Sequence, residues 1–355
     1  MCPGADCYGF MERTIYQFDD LSQMSGEART VPARARHSFR HGPARRVGVI
    51  YNVRSHRNDG SDLASARREG VTVSQPKTRL DIAIALAEFA AADIDYLIIS
   101  GGDGTVRDVL TMGQTVFGNH WPQIAVLPKG KTNALNVDLG APEEWTLAQA
   151  IDAYESGRRL IRRPLAISRE GSTDPAILGF ILGAGAFTLG VEAGQDAHRI
   201  GFFNSLAVGM TSAWGVLQAL FGSDRNRWRR GTEMAMTHAA TGRAFPHSGH
   251  GDRARRHVML ASTLEKMPLG LKIFDRSQSG IRVAMLDKPR RRMLAVLPAI
   301  LAGWRPHWLS AAGFHNLSSD AFSLELDEAF ILDGEHFESG QYRVQQGPEL
   351  TFVSV

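Results

Sequence analysis

The chain has 355 residues, enough for two domains or one large one. With 43% hydrophobic and 22% charged residues, it can form a sizeable core, and a wholly disordered or fibrous chain is excluded. A net charge of +3 supplies no broad basic field, so no nucleic-acid partner is expected; Cys2 and Cys7 are too few for a disulfide framework or a zinc site, which points to a reducing compartment.

Residues 1–44 differ from the rest. They carry Arg34, Arg36 and Arg40 with Pro32 and Pro43 among polar residues, and no apolar run follows the basic ones. A disordered basic leader is expected rather than a secretory signal, with contact to anionic lipid as its functional alternative. Residues 45–163 are expected to form a first domain. Val47 to Tyr51 reads as a buried strand, and Asn52 opens a polar loop. Residues 77–92 carry Ile82, Leu86 and Phe89 at helical spacing, and residues 96–100 form a second β-branched run.

That second strand runs into Gly101-Gly102-Asp103-Gly104-Thr105, after which apolar residues return at helical spacing from Val106. Three glycines let the backbone approach a bulky anion and adopt positive φ where needed. The helix start aims unpaired N–H groups at that anion. Asp103 among them would repel a phosphate unless it binds Mg²⁺ or takes a proton, which points to phosphoryl transfer. Alternating strands and helices predict a doubly wound α/β sheet with its ligand beyond the carboxyl ends of the strands.

The next strand, 123–127, leads into Pro128-Lys129-Gly130-Lys131-Thr132-Asn133. Gly130-Lys131-Thr132 resembles the tail of a Walker A loop. The first glycine that loop requires would fall at Ala125, and Pro128 removes an amide donor, which argues against it. A helix is expected over 143–156. The charge run 157–164, ending at Pro164, is a candidate domain boundary.

Beyond it lie short strand-like runs at 164–168, 176–182, 257–262, 270–274, 281–286, 322–326, 329–332 and 341–344, which predict an all-β second domain over 164–355. The run 349–355 is another strand candidate whose domain is left open. Asp333-Gly334-Glu335 places two carboxylates around a glycine, within reach of one cation or one hydroxyl; alone it is also a common hairpin turn. Residues 201–222 are uncharged and followed by Arg225, Arg227, Arg229 and Arg230, but polar residues dilute them against membrane spanning. Lys288 and Arg290 to Arg292 precede an apolar run ending at Trp304 and Trp308, a pattern that suits either an interfacial helix or a packed one.

The GGDGT sequence, the Pro-x-Gly-x-x-Asn of Pro128, Gly130 and Asn133, and the late Asp-Gly-Glu together resemble the diacylglycerol kinase, sphingosine kinase and ceramide kinase catalytic-domain family. NAD kinases are distant fold relatives. The resemblance spans about 46–355 and departs at Val53, Lys131, Thr132 and Asp108. It implies an NAD kinase-like α/β nucleotide-binding domain followed by a β-sandwich, with the active site in the cleft between them. It further implies an ATP-dependent lipid kinase with Mg²⁺, phosphorylating diacylglycerol, ceramide or a sphingoid base, and cytoplasmic but peripheral on an anionic membrane face. By the resemblance, Gly101, Gly102, Gly104 and Thr105 hold phosphates, and Asn52, Gly130, Lys131 and Asn133 line the nucleotide. Asp103 binds Mg²⁺ or orients the acceptor, Asp333 is the general base and Glu335 binds Mg²⁺, with exchange of roles between Asp103 and Asp333 left open. An NAD kinase-like small-molecule kinase and a non-catalytic nucleotide-binding membrane sensor are the alternatives.

Overall fold

The computed structural model describes residues 18–27, 46–188, 230–275 and 279–355. Cys2, Cys7, the leader arginines and the uncharged stretch 201–222 with Arg225, Arg227 and Arg229 lie outside the described residues.

The first sheet contains β1 (Val47–Tyr51), β2 (Val71–Ser74), β3 (Tyr96–Gly101), β4 (Gln123–Pro128), β5 (Arg158–Arg162) and β18 (Leu350–Ser354), in the order β2-β1-β3-β4-β18-β5. All run parallel except β5, which closes one edge antiparallel to β18. Alternate residues of β3 face opposite ways, as a strand requires. Tyr96 and Ile98 pack with Trp145 and with Leu147 and Ala150 of α5 (Leu147–Ser156); Leu97 and Ile99 pack under α2 (Arg79–Ala91) and α3 (Asp103–Phe117). Both faces are covered, which is why β1 and β3 read as continuous apolar runs rather than alternating ones. Two helices begin in reciprocal capping boxes, Thr78 with Asp81 and Thr146 with Gln149. α3 begins at Gly102 with no side-chain cap.

The second domain has two six-stranded antiparallel sheets in a sandwich-like pair. One takes β6 (Leu165–Arg169), β7 (Ile177–Gly179), β9 (Thr232–His238), β10 (Arg255–Arg256), β14 (Ala321–Leu326) and β17 (Gly340–Gln346). The other takes β8 (Ile181–Gly185), β11 (Val258–Ser262), β12 (Ile281–Leu286), β13 (Phe314–Ser319), β15 (Phe330–Leu332) and β16 (Glu335–Phe337). The domains share one core along α3 and β7, where the Leu178 amide donates to Thr111 Oγ1 at 3.0 Å. Buried Asp138, in α4 (Ala134–Leu139), accepts from Arg162 Nε at 2.6 Å and from the Lys266 amide at 2.7 Å, a second tie between the halves.

Three local expectations change. Within the expected irregular leader, residues 18–27 form helix α1 (Phe18–Glu27). Phe18 and Leu21, one turn apart, are buried, Phe18 lies 4.9 Å from the Tyr342 ring, and Asp19 pairs with Arg169 at 2.7 Å. Burying two such side chains stabilises by about 1.5–3 kcal/mol each, enough to order a short helix that composition alone leaves irregular. The charge run expected only as a boundary also forms edge strand β5, with Arg158 and Arg159 exposed, and the next strand, β6, lies in a sheet of the second domain; an edge tolerates charge that a central strand would not. Residues 270–274 are not a strand. Leu269 and Gly270 take φ of 58° and 67°, a left-handed turn that breaks β pairing.

Candidate active site

The register of the first sheet assembles the site. Tyr51 lies opposite Ser100, and Gly101 opposite Pro128, so the loops leaving β1, β3 and β4 emerge side by side. A Cβ on Gly102 would stand 2.9 Å from Gly130 Cα, and one on Gly130 would stand 2.5 Å from Gly102 Cα. The two loops therefore touch backbone to backbone, which only glycine permits at both positions. Gly101, Gly102 and Gly104 all keep negative φ, so close approach rather than left-handed backbone is what these glycines supply.

Each loop is tied to the next by a side chain named from the sequence. Asn52 Nδ2 donates to Thr105 Oγ1 at 2.8 Å, fastening the β1 loop to the glycine loop. Asp103 Oδ1 accepts from the Ala134 amide at 2.8 Å and so caps α4 from the neighbouring loop. Asn133, at φ 51°, closes a ring onto Gly130, accepting from its amide at 2.7 Å and donating to its carbonyl at 2.9 Å. Lys129 pairs with Asp62 at 3.2 Å, whereas Lys131 is exposed and makes no ion pair among the described residues. The uncapped first turn of α3 thus faces the cleft on a rigid frame. Helix N–H groups and dipole there suit phosphate oxygens.

The second domain contributes a hairpin. Leu332 pairs with Glu335 across the two-residue turn Asp333-Gly334, whose φ values are 48° and 86°. Asp-Gly is the residue pair such a turn prefers, so the turn chemistry and the candidate chemistry occupy the same residues. The Asp333 carboxylate accepts from the Phe180 amide at 3.0 Å and from the Ile181 amide at 2.9 Å. Its loss of water, and then the nearby Asp103 charge, push it up to about 7, against the pull of those amides and of Arg107. Burial pushes Asp103 up to about 6, while the amides of Ala134, Leu135 and Asn133 pull it down. The structure therefore brings Asp103 and Asp333 from opposite domains to one place.

Glu335 has a different setting. Its Oε2 accepts from Arg107 Nη2 at 2.6 Å and from Arg79 Nη2 at 3.1 Å, and the same two arginines hold Asp108. Arg107 is completely buried; burial would pull its guanidinium down, but Asp108 and Glu335 more than offset this. Arg79 and Arg107 were missed in the sequence reading. Arg107 carried a usable signal, because it stands four residues after Asp103 on the same helix face. Arg79 carried none, since its partners are 29 and 256 positions away.

No group of three or more His, Cys, Asp or Glu side chains among the described residues could hold a metal ion. With Asp103 engaged by α4 amides and Glu335 by two guanidinium groups, these residues do not fit a resident Mg²⁺ cage.

A parallel sheet with glycine loops at its carboxyl edge, closed by a β domain that brings a second carboxylate, defines a two-domain phosphotransferase. Residues 46–161 match the diacylglycerol kinase catalytic domain, and the chain carries that domain and is a kinase, with the use of ATP that such domains imply. In fold it is similar to a diacylglycerol kinase from Bacillus anthracis strain Sterne, with a TM-score of 0.57 and 14% identity over 87% of this chain and 97% of that one. A second structure from that organism, provisionally assigned as a diacylglycerol kinase, has a TM-score of 0.57 at 15% identity over the same shares. Such identities speak to the fold alone. No curated protein matches the sequence.

Proposed function

We propose that this protein transfers the γ-phosphoryl group of ATP to the primary hydroxyl of a membrane lipid, with diacylglycerol, ceramide and sphingoid bases as the candidate acceptors. The observation that carries this reading is the meeting of Asp103 and Asp333 beside the glycine loops, with Asp333 poised near 7. A base in that range is half available at neutral pH and still able to take a proton.

In this proposal the backbone of Gly101, Gly102 and Gly104 and the Thr105 hydroxyl receive phosphate oxygens. Asn52 and Asn133 hold the loops around the nucleotide, and Lys131 is an exposed cation beside them. Asp333 accepts the acceptor hydroxyl's proton as its oxygen bonds to the γ-phosphorus and the β–γ bridging bond breaks, releasing ADP. Asp103 fixes the glycine loop against α4 and orients the acceptor. Mg²⁺ would enter on ATP and neutralise its phosphates.

A lipid acceptor requires a surface that meets the bilayer. Helix α6 (Arg291–Leu301) packs inward through Met293, Leu294 and Ile300 and leaves Ala295, Pro298 and Ala299 exposed. Beyond it Trp304 and Trp308 are 46% and 37% exposed and meet edge to face, and Leu269 is 85% exposed on a turn nearby, whose Lys272 amide donates to Leu301 O at 2.8 Å. Arg290 and Arg292 are exposed at the other end. Exposed tryptophans with flanking arginines support attachment to an anionic membrane surface. Among the described residues no helix is long and apolar enough to cross a membrane.

The test is labelled ATP with diacylglycerol, ceramide, sphingosine and NAD, followed by separation of products. Label in one of the three lipids is the expected outcome. Label in NAD alone would support a small-molecule kinase instead, and label in none would leave nucleotide binding without catalysis.

A further inference from the structure

We infer that Arg107, seconded by Arg79, is the positioning residue that holds the Asp333-Gly334-Glu335 turn against the glycine loop, and that Glu335 is the anion of this arginine pair rather than a magnesium ligand. The inference rests on the kinase reading above and concerns the same cleft.

Arg107 grips both sides of the turn. Its Nη1 donates to Leu332 O at 3.3 Å, just before Asp333. Its Nη2 donates to Glu335 Oε2 at 2.6 Å, just after Gly334. Its guanidinium lies 5.4 Å from the Phe337 ring centroid, further along β16. Nε and Nη2 also reach Asp108 Oδ1 at 3.2 and 2.8 Å, which fixes the guanidinium on its own helix. Arg79 completes the arrangement from α2, reaching Asp108 Oδ2 at 2.9 Å and Glu335 Oε2 at 3.1 Å. Asp108 and Glu335 both face the buried guanidinium, the pairing that a buried arginine requires.

This setting is wrong for a divalent cation. Glu335 Oε2 already accepts two charged donors. Oε1 lies 3.0 Å from where a Cβ on Gly104 would stand, against the positive end of α3. A cation placed there would face two guanidinium groups and a helix N-terminus at once. The same charges suit a carboxylate whose work is to anchor a turn. Asp333 sits inside that anchored turn with φ 48°, a backbone that Asp-Gly adopts readily, so the arginine acts on where the turn lies and not on its local conformation.

The experiment uses the purified full chain and its Arg79→Met, Arg107→Met, Arg107→Lys and Glu335→Gln variants. Turnover is followed across Mg²⁺ concentrations, and amide hydrogen exchange across 330–337. Glu335→Gln and Arg79→Met should each lower kcat by roughly 10²-fold, as a small misplacement does, with KM for ATP little changed. The Mg²⁺ midpoint should stay where it is in the wild type. The double variant should be no worse than the worse single one, because both break one network. Hairpin amides should exchange about tenfold faster in Arg107→Met while α3 amides do not. Arg107→Lys should not rescue, since an ammonium cannot span Leu332 O, Asp108 and Glu335 together. Recovery of Glu335→Gln at high Mg²⁺ would overturn the inference, as would unchanged hairpin exchange in the arginine variants. If Arg107→Met does not fold, Arg79, whose side chain is 23% exposed, carries the same exchange test. If the wild type labels no lipid, the kinase reading fails, and the exchange result still judges the arginines.

Discussion

The two walls of the cleft are built by opposite means. The glycine-loop wall is drawn from neighbouring loops of one parallel sheet and made rigid by backbone geometry: adjacent parallel strands set the register, and Gly102 and Gly130 touch through their backbones. The hairpin wall is only a few residues wide and gains its rigidity from elsewhere, through the Phe180 and Ile181 amides and the Arg107 guanidinium. A backbone contact tolerates no added atom, whereas a side-chain network can yield partly. The first wall should therefore fail sharply on steric change, and the second on loss of charge or hydrogen bonds.

The largest expected effect is on the hairpin's chemistry. Asp333→Asn keeps the turn and removes the base, so turnover should fall by roughly 10³-fold while ATP affinity holds. Product formation set beside nucleotide binding checks this; near-normal turnover would reject Asp333 and leave Asp103 as the base.

Next comes the glycine wall. Gly102→Ala must push Gly130 away, so turnover should drop by roughly 10²-fold. Gly104→Ala should cost less, because the nearest atom to the new Cβ is a side-chain oxygen, Glu335 Oε1 at 3.0 Å, and not backbone. Equal losses in the two variants would show that the walls do not differ in this way.

A pH series sharpens the comparison further. With Asp333 pushed up to about 7, turnover should fall about tenfold per unit below that pH. Stability should move the other way. The folded state holds this proton more tightly than an unfolded aspartate titrating near 3.8, so the contribution is full below 3.8 and lost as pH rises through about 7. Asp333→Asn should narrow the Tm difference between pH 5 and pH 8; an unaltered difference would argue that the carboxylate is not perturbed.

The smallest effect concerns the lipid surface. Trp304→Ser with Trp308→Ser, and separately Arg290→Gln with Arg292→Gln, should weaken binding to anionic vesicles, the arginine pair by about 1 kcal/mol per residue at most. Soluble nucleotide binding should not change. Only the arginine effect should fade as salt rises, since screening acts on charge and not on buried apolar area. Vesicle binding indifferent to both pairs would assign this face to solvent.

Much of this was legible from residue order because it depends on neighbours in the chain. Strand, GGDGT and helix are contiguous; alternation and helical spacing name the elements; Asp-Gly in a turn carries its own backbone preference. The α/β class and the all-β class of the second half follow from such local rules, whereas reading Asp333 and Glu335 as site carboxylates and not as an ordinary hairpin turn rests on the family resemblance. Tertiary structure alone decided the rest. That Asn133 and Asn52 tie loops together, that Asp103 caps a helix belonging to another loop, and that β18 returns to the first sheet depend on pairings between distant residues. The quartet of Arg79, Asp108, Arg107 and Glu335 is the clearest case. Charges attract through space without regard to sequence separation, and an arginine 256 positions from its carboxylate leaves no periodic trace in the chain.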